Sequence, residues 1–139
     1  RMKMAESLQG AVEAADIITA ATMSTEPLIK GAWLRAGQHV DLIGAYRPDM
    51  REVDDDALSC AKNFVDSYDT TVDHIGEIKL PLQEGTISRS DIIADYYEMW
   101  AFQRRCRDEI TLFKNGGGAH LDLMVSKFIL DRWNLFFSS

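Results

Sequence analysis

The feature that most constrains this chain is the way its hydrophobic period switches along the sequence. Short apolar runs ending in small or polar residues alternate with stretches of helical spacing. The first run is residues 16–22 (DIITAAT), preceded by residues 5–15, where Leu8, Val12 and Ala15 share one helical face. The second is residues 38–44 (QHVDLIG), after a short, weakly helical piece around Ile29 and Trp33 that Gly37 ends. The third is residues 63–67 (NFVDS), behind a helix over residues 57–61 whose cap and first turn are supplied by Asp54, Asp55 and Asp56. Strands alternating with helices imply right-handed crossovers and a parallel sheet. The first run has the composition of a strand buried on both faces.

Beyond residue 70 the rhythm changes. Residues 72–78 read as helical, and residues 80–87 as an extended, turning segment around Pro81 and Gly85. Ser90 and Asp91 are placed to cap a helix over residues 92–100. Residues 110–113 form a fourth β-like run, broken by Asn115-Gly116-Gly117-Gly118, and residues 119–136 read as one amphipathic helix.

Composition removes whole classes of function. With 139 residues, 46% hydrophobic and 27% charged, the chain is an ordinary globular length and mixture. A net charge of -7 and a pI near 4.9 argue against nucleic acid or an anionic membrane as partner. The one basic cluster, Arg104, Arg105 and Arg107, reads as a solvated helix end. No apolar run reaches the ~20 residues of a membrane span and no signal peptide is visible. Cys60 and Cys106 lack a paired spacing and read as buried, reduced thiols of a cytoplasmic protein. His39, His74 and His120 show no metal-ligand spacing. The abrupt opening, Arg-Met-Lys-Met running straight into a helical segment, is what a fragment would show.

In an open parallel sheet, ligands sit at the carboxyl ends of the strands. Three such ends are readable. Residues 19–22, with Thr19, Ala20 and Ala21, either form a ribose- or phosphate-contacting ledge or are a strand that simply ends in small residues. At residues 43–49, Ile43, Gly44 and Ala45 permit close approach of a ligand, and Asp49 either orients a substrate amine or caps its own turn. Lys114-Asn115-Gly116-Gly117-Gly118, before the last helix, either presents backbone N–H groups of its three glycines to an anion or carboxamide or forms a flexible hinge. Neither a Walker loop nor a GxGxxG turn is present.

Four segments, in order and at about the right spacing, carry a resemblance: residues 15–22 (ADIITAAT), 37–52 (GQHVDLIGAYRPDMRE), 64–67 (FVDS) and 108–115 (DEITLFKN). Together they resemble the ornithine cyclodeaminase and mu-crystallin family, over residues 6–131. The resemblance implies an α/β fold: the second half of a Rossmann-type parallel sheet with flanking helices, plus C-terminal helices returning toward a substrate domain that is not in this chain. It divides the chain into a partial dinucleotide-binding domain, residues 1–107, and a return segment with its helix, residues 108–139.

It also implies NAD or NADP as cofactor, a small amino or imino acid as substrate, and a homo-oligomer. In the family's cyclodeaminases, bound NAD+ takes a hydride from the amino acid's α-carbon; the imine cyclises, loses ammonia and is reduced again. Position by position, Thr19, Ala20 and Ala21 match the loop beside the cofactor's ribose and adenine half. Ile43, Gly44 and Ala45 match the strand end beside the nicotinamide, and Asn115 and Gly116 a small polar step closing over it. Asp66 resembles a recurrent strand-end acid and is assigned no catalytic role.

The departures narrow the activity. In cyclodeaminases the loop after the second strand carries a catalytic Asp, where this chain has Tyr46, and a Lys, where it has Met50. The Pro-Asp-Met-Arg-Glu variant is similar to the mu-crystallin and ketimine reductase branch. The expectation is therefore a C-terminal fragment of an NAD(P)-dependent oxidoreductase acting on an amino acid or cyclic imino acid, with Tyr46 and Asp49 as candidate catalytic groups, inactive as this chain alone and weak in NAD affinity without the glycine-rich turn. A non-catalytic, oligomerising α/β module and a crystallin-like small-molecule binder are the alternatives.

Overall fold

A computed structural model describes residues 2–137. Its centre is a five-stranded sheet of β1 (Ile17–Ala20), β2 (His39–Leu42), β3 (Lys62–Val65), β4 (Ile92–Ala94) and β5 (Thr111–Lys114), in the order β1-β2-β5-β3-β4. Every pairing is parallel. All carboxyl ends therefore lie along one edge. The helices are α1 (Leu8–Ala14), α2 (Asp55–Cys60), α3 (Gly76–Glu84) and α4 (Ala119–Phe137), with short 3-10 turns between elements.

The three strands expected from the first runs are present and point the same way, but they are not all neighbours. The last strand, β5, lies between β2 and β3. Its Leu112 is fully buried and pairs with Val40 on one side and Asn63 on the other. The main core includes Val40, Leu42, Val53, Leu58, Val65, Ile78 and Leu112, beneath α1, α2 and α3. The opposite face of β1 is open. Ile18 and Ala20 are buried, whereas Ile17 is 68% exposed and Thr19 is exposed, so β1 is covered on one face and not on both as its composition implied.

Three further expectations are corrected. Residues 72–78 are not one helix: a π-helical turn at Tyr68–Val72 precedes α3. Residues 80–87 are not extended, because α3 runs through Pro81 to Gly85, whose φ of 77° closes the helix in the left-handed region. Proline's missing N–H and ring clash normally stop a helix. Here burial of Glu77, Ile78 and Pro81 fixes the segment against the core. Residues 92–100 are not one helix either: the span opens as a strand, and only Tyr96–Ala101 is helical, as kinked 3-10 turns. The Ser88–Asp91 capping box caps one 3-10 turn, and Ile92-Ile93-Ala94 follows with strand alternation, Ile92 and Ala94 buried and Ile93 out.

Local readings of side chains also shift. Cys60 and Cys106 are exposed rather than buried. Arg104 is not at a helix end. Its guanidinium donates to the carbonyls of Gly37 and Gln38 and to Thr111 Oγ1, tying the amino-terminal edge of β2 and β5. Beyond β5, every residue from Asp122 to Phe137 of α4 is exposed, including Phe128, Trp133 and Phe136. Among the described residues, no helix is long and apolar enough to cross a membrane.

Because β5 supplies the sheet's middle, Leu112→Ala should destabilise the fold by about 2–5 kcal/mol, while Ile93→Ala on the outer face of β4 should cost about 1 kcal/mol or less. Urea unfolding of the two variants, compared at their midpoints, measures the difference.

Candidate functional site

The carboxyl edge of the sheet is built around one buried side chain, Glu52. Its segment, residues 50–54, crosses beneath the tips of β1 and β2. Main-chain bonds hold it on both sides: Arg51 N–H donates to Ser24 C=O, Leu28 and Ile29 N–H donate to Glu52 C=O, and Ile29 bridges Val53. The Glu52 side chain then turns toward the strand tips. Its Oε1 accepts the Thr22 N–H at 2.7 Å and the Thr22 hydroxyl at 3.0 Å. Its Oε2 accepts the Gly44 N–H at 2.8 Å and the Ala45 N–H at 3.1 Å. A carboxylate offers about four lone-pair sites, so this set saturates it.

Glu77 of α3 lies behind Glu52. Its carboxylate accepts the Glu52 N–H at 2.7 Å and the Val53 N–H at 3.1 Å. Burial pushes this carboxyl up to about 7, against the opposing pull of the two amides and of Lys114; the Glu52 carboxylate adds to the rise. Lys114, at the end of β5, is fully buried and donates from Nζ to Leu42 C=O at 3.2 Å. Desolvation lowers its pKa, while Glu77, Glu52, Asp66 and Asp41 raise it.

The remaining tips are held in the same manner. Asp66, at the end of β3, accepts the Ser67 and Gly116 N–H groups, each at 2.9 Å, and the Thr71 hydroxyl. Asp95, after β4, accepts the N–H groups of Tyr68 at 3.2 Å and Tyr97 at 2.9 Å. Main-chain bonds from Ile43 to Ala20, Asn115 to Leu42 and Asp66 to Lys114 continue the ladders past the strand ends.

The sequence-derived candidates fall on this edge in different states. Thr19 and Ala21 are exposed, and Ala20 is buried in the core. Ile43 is 46% and Tyr46 55% exposed at the tip of β2. Asp49 is exposed and held by the guanidinium of Arg47 through two bonds, at 3.0 and 2.9 Å. Asn115 turns its side-chain carbonyl onto the Gly117 N–H.

The smallness of two candidates has an internal cause. A Cβ on Gly44 would lie 2.1 Å from both the N and the O of Thr22, and one on Gly116 would lie 2.3 Å from Thr71 Oγ1. These glycines let neighbouring chain segments cross. Glu52, Glu77, Thr71 and Asp95 are not singled out by the sequence, and Lys114 enters there only as the first residue of the glycine segment, with no sign of its burial. Glu52 is legible only as the last charge of the segment 37–52, and nothing local to it shows where its carboxylate points.

This edge meets a nicotinamide dinucleotide in part. Exposed Ala21 and Ile43 offer small and apolar surface to a flat ring. The amides of Thr22, Gly44, Ala45 and Gly116 are already donated to protein carboxylates, so they offer no anion nest for a pyrophosphate.

The model of the ornithine cyclodeaminase/mu-crystallin family matches residues 1–135. The chain belongs to that family. It is similar to a Delta(1)-pyrroline-2-carboxylate reductase of Paracoccus denitrificans, 52% identical over 125 residues, covering 88% of this chain and 40% of that protein. Among solved structures, it resembles the Thermococcus litoralis Delta(1)-pyrroline-2-carboxylate reductase in complex with NADH and L-proline. That match has a TM-score of 0.76 and 35% identity, over 81% of this chain and 36% of that one. An archaeal alanine dehydrogenase dimer with bound NAD matches at a TM-score of 0.81 and 29% identity, over 96% of this chain and 42% of that one. The chain thus spans about 40% of the length of the relatives it matches.

Glu77 makes stability depend on pH in a definite direction. Its folded pKa, about 7, is above its ordinary 4.5, so the folded state holds the proton more tightly. The contribution is complete below about pH 4.5 and disappears as pH rises through 7, on the order of 3 kcal/mol in all. Glu77→Gln should flatten the stability profile across that window, measured by urea midpoints at stepped pH.

Proposed function

We propose that the chain is the C-terminal portion of a nicotinamide-dependent reductase acting on a small cyclic imino acid. The observation that supports this most directly is the parallel carboxyl edge lined by Ala21, Ile43 and Tyr46, in a chain similar to a reductase solved with NADH and L-proline. In this reading the five-stranded sheet, with β5 at its middle, belongs to the dinucleotide-binding domain, so that domain extends past residue 107 to residue 114, and the segment after β5 with α4 returns from it. The cofactor, when bound, supplies a hydride to the C=N carbon of the substrate. Thr19 and Ala21 border its ribose side, with Ala20 behind them in the core; Ile43 lies beside the nicotinamide, with Gly44 and the buried Ala45 behind it; Asn115 and Gly116 close the edge from β5. The pyrophosphate is held by residues outside this chain, since the amides at these tips are committed. The finer activity is imino-acid reduction rather than ornithine deamination, because Tyr46 and Met50 stand where cyclodeaminases have Asp and Lys.

Of the two candidate proton-handling groups, Tyr46 is the better placed. Its ring stands at the tip of β2 and is 55% exposed, whereas the Asp49 carboxylate is engaged by Arg47. A positioned acid contributes about 10²–10⁴-fold in rate. The exposed apolar residues of α4, among them Phe128, Ile129 and Phe136, support self-association through that helix. The composition supports a cytoplasmic protein without nucleic-acid or membrane partners.

The test is NADH and NADPH oxidation with Delta(1)-pyrroline-2-carboxylate, in a protein that joins this chain to the upstream portion its relatives have. Turnover is expected, with no ammonia released from L-ornithine; absence of nicotinamide binding overturns the proposal. In that protein Tyr46→Phe should lower kcat by about tenfold or more, and Asp49→Asn should change it by less than about threefold.

A further inference from the structure

We infer that Glu52 is a positioning residue of the cofactor edge: its carboxylate sets the spacing and facing of the β1 and β2 tips against which the nicotinamide half lies. The inference rests on the reading of that edge given above, and names a residue the reading itself does not require.

The geometry carries it. Glu52 shows no exposed surface, so it does not touch a ligand at the edge. It bonds to three consecutive points of the shelf instead: Thr22 through backbone and hydroxyl, then Gly44, then Ala45. Thr22 follows the last residues of β1, and Gly44 and Ala45 follow Ile43, so one side chain spans the ends of both strands. The β1 and β2 ladder stops at the Ile43 to Ala20 bond. Beyond it, among the described residues, no main-chain bond joins residues 21–25 to residues 44–49; Glu52 takes over that linkage.

Glu52 is itself held from behind. Glu77 takes its N–H, and Leu28 and Ile29 donate to its C=O. A loose side chain would transmit no geometry; this one is fixed at both ends. The four bonds also specify a carboxylate. All four incoming groups are donors, so a carboxamide would turn an NH2 toward one pair of them. The Gly44–Thr22 approach requires the same arrangement, since a Cβ at Gly44 would also come within 2.5 Å of Glu52 Oε1. Glycine and glutamate are thus matched across the tip.

The experiment has two readouts on Glu52→Gln and on Thr22→Val, a milder change that removes the hydroxyl's bond to Glu52 and the longer one it accepts from the Ser24 N–H at 3.4 Å. Backbone amide exchange in the present chain reports the tips directly. Exchange at Thr22, Gly44 or Ala45 should rise by about tenfold or more in Glu52→Gln, while Val40 and Leu112 in the strand interiors stay within about threefold. Unchanged exchange at all three tip amides overturns the inference whatever the cofactor does. Loss of protection throughout the sheet marks Glu52→Gln as unfolded, and Thr22→Val then decides: faster exchange at Thr22, Gly44 or Ala45 with the strand interiors unchanged supports the inference, and its absence at all three overturns it.

The second readout is made in the longer protein. There the variants should raise the Kd and KM for NADH by about five- to tenfold and leave kcat within about twofold, as expected when cofactor placement and not chemistry is disturbed. Equal NADH affinity in wild type and both variants overturns the positioning role. A wild type that binds no NADH instead refutes the cofactor reading, and the amide-exchange result distinguishes that failure from this one.

Discussion

The carboxylate of Glu52, buried and encircled by donors, is the interaction on which the organisation of the strand-end edge depends. A charge in the interior is costly unless its lone pairs are satisfied. Four hydrogen bonds from Thr22, Gly44 and Ala45 satisfy it, and charge-assisted bonds of this kind are stronger than neutral ones. The arrangement also solves a problem of the loops. The first residues past two parallel strands would otherwise leave their N–H groups to solvent or to a ligand. Binding them to one internal group fixes two loops with a single side chain, and Glu77 and Lys114 place two further ionisable groups behind it.

The same device recurs along the edge. Asp66 fastens the return segment to β3 by taking the Gly116 N–H, and Asp95 fastens the turn after β3 to the segment after β4 by taking the Tyr68 N–H. Part of the chain's acidity is therefore internal. A net charge of -7 reads as a surface property, yet Glu52, Glu77, Asp66 and Asp95 are all buried. Their work is to order main chain where regular pairing ends. An edge stitched in this way is preorganised: a ligand would meet side chains and apolar surface already in place.

The legible parts of the fold were those written in local pattern. The apolar runs at residues 16–22, 38–44, 63–67 and 110–113 contain strands because their periodicity and small terminal residues need no distant partner to be recognised. β4 and α3 were misread for the opposite reason. Ile92-Ile93-Ala94 is too short to show a period, and it becomes a strand by pairing with β3. Residues 80–84 become helix despite Pro81 because Glu77 and Ile78 are fixed in the interior. At the site, the small residues were legible and their cause was not. Gly44 and Gly116 answer first to crossings with Thr22 and Thr71 inside the protein, a relation between positions far apart in sequence.

The position of β5 has a consequence for how the chain comes to be folded. In the sheet, β1 and β2 form one pair and β3 and β4 another, and only β5 touches both. Of these five strands it is also the last to leave the ribosome. Until residue 114 has emerged the molecule holds two separate ribbons, each with an unpaired inner margin, and the joining strand must enter between them. Such long-range closure is slow compared with local pairing. A nascent chain of this kind would pass through an association-prone state just before residues 111–114 pair, with the strand between β2 and β3 still missing.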